Sequence, residues 1–84
     1  MTLRNVTVID YGVGNLLSVR RGLEYNDALV KVTGDPEEIF KSERVVLPGV
    51  GAFANGMAEL DKRDFISLIH DITSKGTPLL GLCL

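Results

Sequence analysis

The chain switches repeatedly between two hydrophobic periods. Asn5 to Ile9 (NVTVI) is short and mostly β-branched, which predicts a strand, and the loop DYGVGN closes it. From Asn15 the period lengthens. Leu16, Leu17, Val19 and Leu23 are apolar while Arg20, Arg21 and Glu24 are polar, as in an amphipathic helix. DALVKV (27–32) reads as a second strand. GDPEEIF then carries helix-start chemistry, with Asp35 as N-cap, Pro36 at the first helical position and Glu38 where a capping box places a carboxylate. RVVLPG (44–49) is an unbroken apolar run, hence a buried third strand leading into the loop PGVGAF (48–53). A helical stretch is expected around Met57, Ala58 and Leu60. Asp64 is placed to cap a clearer helix, with Phe65, Leu68, Ile69 and Ile72 on one face and Gly76 just past its end. PLLG (78–81) is the fourth strand, with a turn expected at its end.

Strands alternating with helices at this spacing predict an α/β fold. It is an open parallel sheet joined by right-handed crossovers, with helices on both faces. The third and fourth strands, apolar throughout, are expected in its interior. Ligands of such sheets sit beyond the carboxyl ends of the strands. Three loops fall there: DYGVGN, PGVGAF and the terminal GLCL.

Composition narrows the function classes. The chain has 84 residues, 45% of them hydrophobic, and a net charge of -2, which gives no basic surface for nucleic acid or an anionic membrane. No apolar run approaches the roughly 20 residues of a membrane span, and the start lacks the layout of a signal peptide. A single cysteine excludes an internal disulfide and suits a reducing, cytoplasmic setting. A unit of this size has a thin core.

That cysteine, Cys83, is the first candidate. A buried structural thiol is the bland reading. Its place at the carboxyl edge, after Gly81 is expected to end the strand, suits a nucleophile elbow, where a helix N-terminus favours the thiolate. Gly49, Val50 and Gly51 come next. The two glycines make a turn, but they also let a peptide N–H rotate toward a developing oxyanion. Such a loop beside a cysteine elbow suits acyl transfer. DYGVGN (10–15) invites a dinucleotide reading, which fails because Leu17 stands where the fingerprint needs its third glycine. Asp10 at a strand end suggests a phospho-accepting receiver domain, but the third-strand loop offers Pro48 rather than an acid. His70, the one histidine, lies off the apolar stripe of its helix and is expected in solvent rather than beside the thiol. No metal and no cofactor are expected.

Together, DYGVGNLLSV, LPGVGAF and PLLGLCL resemble the glutaminase-subunit family of imidazole glycerol phosphate synthase, class I (triad) glutamine amidotransferases of histidine biosynthesis. The resemblance covers the whole chain in the family's order and spacing. It implies a flavodoxin-like amidotransferase fold, of which residues 1–84 would be the N-terminal part of a single domain. It implies that Cys83 is the nucleophile toward the glutamine side-chain amide. Gly49, Val50 and Gly51 match the family's oxyanion loop, and Gly81 and Leu82 the turn before the nucleophile. Gly12, Gly14 and Asn15 match a loop close to the partner, a (β/α)8-barrel cyclase that receives ammonia. The family's G-x-Q after the cysteine and its catalytic histidine and glutamate do not occur in these residues, so this 84-residue chain is expected to be inactive by itself. Two other readings stand beside this one. One is another triad amidotransferase, and the other is a small flavodoxin-like binding module without enzymatic activity.

Overall fold

The computed structural model of the protein describes residues 4–12, 16–49 and 65–83, and for Leu82 and Cys83 the backbone. The elements follow in the order β1 (Arg4–Ile9), α1 (Leu16–Tyr25), β2 (Ala28–Thr33), α2 (Pro36–Phe40), β3 (Val45–Gly49), α3 (Phe65–Ser74) and β4 (Leu79–Cys83). The expected helix around Met57 and the Asp64 cap lie outside the described residues.

The four strands form one parallel sheet in the order β2-β1-β3-β4. Alternation along each strand sorts the side chains into two cores. Val6, Val8 and Val46 pack with Val19 of α1 on one face, supported by Leu16 and Leu23. Ile9, Tyr11 and Val45 pack with Ile39 of α2 and with Phe65 and Ile72 of α3 on the other. Helices therefore cover both faces, and the open α/β architecture is as the sequence implies. Full burial of an Ile or Phe contributes about 1.5–3 kcal/mol, so these two thin layers carry much of the fold.

Local chemistry explains the element boundaries. At about 100° per residue, Leu16, Val19 and Leu23 share a helix face whereas Leu17 does not, and Leu17 is 57% exposed. Asp27, expected in the second strand, is instead a left-handed turn residue (φ 64°). The strand starts one position later. After α3, Gly76 adopts φ +91°, its N–H donates to the Thr73 carbonyl (3.1 Å), and the Thr77 N–H donates to the Ile72 carbonyl (3.0 Å). That is the glycine C-cap the sequence implies.

The start of α2 differs in detail from the expected capping box. Asp35 does cap, its carboxylate accepting the Glu37 N–H at 3.0 Å. Glu38 does not reach back to the Asp35 N–H, because the Thr33 hydroxyl oxygen accepts that proton at 3.0 Å. Thr33 in turn donates to the Glu38 carboxylate at 3.0 Å, and Lys31 pairs with the same carboxylate. The box is closed through a strand residue. These bonds, led by the one to Lys31, hold the Glu38 carboxyl below its usual range.

One expectation for the fourth strand is corrected. Gly81 does not end it, since pairing continues as Leu47↔Gly81, Pro48↔Leu82 and Gly49↔Cys83. Among the described strands β4 lies at one edge of the sheet. Leu79 packs against the α3 core, but on the opposite face Leu80 is 53% exposed, because α1 lies against β2 rather than β4.

Candidate active site

The chain lays β2 on one side of β1 and β3 and β4 on the other. The winding direction therefore reverses between β1 and β3, and the crevice at such a switch point is where open sheets hold ligands. Its walls are the segments that leave β1 and β3.

The segment after β1 is tightly built. The Asp10 N–H donates to the Thr33 carbonyl at 2.9 Å, which ties the end of β1 to the end of β2. Gly34 follows so closely that a Cβ there would lie 2.8 Å from the Asp10 carbonyl oxygen. The Asp10 carboxylate accepts the Gly12 N–H at 3.2 Å, and Gly12 takes φ +82°, a conformation glycine adopts freely. Between them Tyr11 turns inward. It is 2% exposed, and its hydroxyl donates to the carbonyl of Pro48 on β3. Burial raises the phenol above its ordinary value of 10.0, so the proton stays on the oxygen at neutral pH.

On the other wall, β3 ends at Gly49, and its register partner on β4 is Cys83. Neighbouring strands lie about 4.8 Å apart, so the backbone of the candidate nucleophile runs directly beside the first residue of the glycine loop. Gly12 lies three residues beyond the end of β1, the strand next to β3. The sheet thus brings Cys83, Gly49 and Gly12 to one edge. Val50, Gly51, Gly14 and Asn15 lie outside the described residues. His70 is exposed on α3, as expected. Among the described residues no cluster of three or more His, Cys, Asp or Glu side chains is arranged to hold a metal. No described helix is long and apolar enough to cross a membrane.

Reading the sequence for chemistry passes over Tyr11 and Gly34. Tyr11 had a signal. It continues the alternation of Thr7 and Ile9, which places it on the buried face, and a buried tyrosine hydroxyl needs a partner. Gly34 had none, because its constraint is a contact with a residue 24 positions earlier.

Strand order, parallel pairing and a crevice between β1 and β3 define a doubly wound, flavodoxin-like α/β protein. No family model matches the chain. It is 50% identical over 82 residues to the imidazole glycerol phosphate synthase subunit HisH 1 of Legionella pneumophila (strain Paris), covering 98% of this chain and 38% of that protein. The corresponding HisH of Moorella thermoacetica is 48% identical over 82 residues (98% of this chain, 39% of that protein). HisH of Bacillus anthracis is 47% identical over 79 residues (94% and 38%). Over nearly all of its own length the chain is therefore similar to HisH subunits of imidazole glycerol phosphate synthase. It spans about 38% of the length of the curated relatives it matches.

Proposed function

We propose that these 84 residues are the N-terminal part of a glutaminase domain that supplies ammonia to a cyclase partner in histidine biosynthesis. The observation that carries the reading is the pairing of Gly49 with Cys83 at the carboxyl edge of the sheet, in a chain similar to HisH subunits. A thiolate at Cys83 attacks the side-chain amide carbon of glutamine. Collapse of the tetrahedral intermediate breaks the C–N bond, and the nitrogen leaves as ammonia once protonated. Water then cleaves the thioester to glutamate and restores the thiol. The loop of Gly49, Val50 and Gly51 offers a reoriented backbone N–H to the oxyanion, a role in which one donor contributes roughly 2.7–4 kcal/mol. The base and acid of these steps come from outside residues 1–84, since His70, the one histidine here, is exposed on α3. The loop carrying Gly12, Gly14 and Asn15 faces the partner, a (β/α)8 barrel, where ammonia is used to form imidazole glycerol phosphate and aminoimidazole carboxamide ribotide. The setting is cytoplasmic.

The test is Cys83→Ala in a chain of the relatives' full length, assayed with its cyclase partner. Glutamine-dependent turnover should vanish while synthesis from added ammonium salt persists. Retained glutamine hydrolysis would remove Cys83 from the role.

A further inference from the structure

The structure contains a side chain that ties the two walls of the crevice together. In β3, alternate residues turn their backbone groups to opposite neighbours. The Arg44 carbonyl accepts the Thr7 N–H of β1 at 2.9 Å, and the Val45 N–H donates to the Pro78 carbonyl on the β4 side at 3.0 Å. The same alternation turns the Pro48 carbonyl toward β1. The β1–β3 register runs through Thr7↔Val45 and Val8↔Val46, and β1 itself ends at Ile9. Beyond that point a side chain takes over, because the Tyr11 hydroxyl donates to the Pro48 carbonyl across 37 residues of sequence. Both residues are buried, so water does not compete readily for that oxygen.

A planar trans peptide fixes the next N–H opposite its carbonyl. Holding the Pro48 carbonyl on the β1 side therefore turns the Gly49 N–H toward β4, the strand that carries Cys83. Pro48 has no N–H of its own to anchor the link. We infer that Tyr11 is a positioning residue for the glutaminase reaction, its hydroxyl clamping the Pro48–Gly49 peptide so that the oxyanion loop starts from a fixed base beside Cys83. This inference rests on the proposed function of the Gly49–Gly51 loop. It assigns Tyr11 no contact with glutamine. The raised phenol pKa agrees with it, since the hydroxyl remains a donor throughout the neutral range.

Tyr11→Phe keeps the ring that packs with Ile9, Val45 and Phe65 and deletes the donor. In the full-length chain with its partner, kcat for glutamine should fall roughly three- to tenfold, the size of one neutral hydrogen bond, with KM changed less than about twofold. Alkylation of Cys83 by iodoacetamide, followed on its peptide by mass spectrometry, forms no oxyanion and should keep its rate. Wild-type kcat in Tyr11→Phe overturns the inference, and so does a parallel loss of alkylation, which would mean general damage to the site. Cys83→Ala is measured alongside. If it is inactive while Tyr11→Phe is fully active, only the Tyr11 role fails. If it retains turnover, the proposed function fails too. Should Tyr11→Phe not fold, the carbonyl carbon of 13C-labelled Pro48 decides in the wild-type protein. A shift typical of a hydrogen-bonded carbonyl supports the clamp, and one typical of a free carbonyl overturns it.

Discussion

One substitution, glycine to alanine, should have opposite signs at two places in this fold. At Gly34 the added Cβ would lie 2.8 Å from the Asp10 carbonyl oxygen, closer than real side-chain carbons come to backbone oxygen. The oxygen cannot retreat freely, because the Asp10 N–H is bonded to the Thr33 carbonyl at 2.9 Å, one residue before Gly34. Relieving the overlap means moving the end of β1 away from the end of β2, at roughly 1–3 kcal/mol, the usual range for overpacking. Alanine also restricts the unfolded chain, which offsets about 0.4–1 kcal/mol. The clash wins, and Gly34→Ala should be destabilising by roughly 0.5–2 kcal/mol. At Gly22 in α1 the added Cβ meets nothing within 4 Å, so only the helix preference remains, and Gly22→Ala should stabilise by roughly 0.5–1 kcal/mol. Urea unfolding of the full-length chain measures both, read as shifts of the midpoint at constant slope. Gly34→Ala as stable as wild type would show that Asp10 yields without cost and would refute the steric argument. A destabilised Gly22→Ala would refute the exposed-helix argument.

Three further outcomes follow from the same geometry and from the proposed function. Gly51→Pro removes a backbone N–H and holds φ near about -65°, so it should reduce kcat for glutamine far more than it raises KM, and an unchanged kcat would contradict the oxyanion role of the loop. The Glu38 carboxyl is held below its ordinary 4.5, mainly by Lys31 and then Thr33, so its contribution is complete above that value and fades as pH falls through the lowered one. Glu38→Gln should therefore unfold earlier than wild type at neutral pH, the gap narrowing as pH falls below 4.5 through the lowered value, and a gap that stays constant across that fall would contradict the linkage. The 84-residue chain alone, with β4 at the sheet edge and Leu80 half-exposed, should bind hydrophobic dyes, melt without a sharp transition and release no ammonia from glutamine. A cooperative melt or cysteine-dependent hydrolysis by that chain would contradict this.

Much of the molecule was legible from the sequence because its determinants are local. A β-branched run such as NVTVI specifies a strand, Asp35-Pro36 starts a helix and Gly76 ends one, each through contacts within a few residues. Alternation of such elements is enough to imply a parallel α/β sheet with its loops on one edge. The glycine loops and Cys83 are likewise short contiguous motifs whose place along the chain is local to the sequence.

Contacts across the chain decided the rest. Nothing near Gly81 told that β4 would continue to Cys83, because the strand is prolonged by pairing with Leu47, Pro48 and Gly49 more than thirty residues away. Glu38 sits in a capping-box position, yet Thr33 from the preceding strand takes the proton it would have accepted. Gly34 is constrained by Asp10, and the Tyr11 hydroxyl finds its acceptor on Pro48 only because β1 and β3 lie side by side at the switch point. Local backbone preference sets which elements form, whereas burial and hydrogen-bond satisfaction between distant segments set where they stop and which side chains meet.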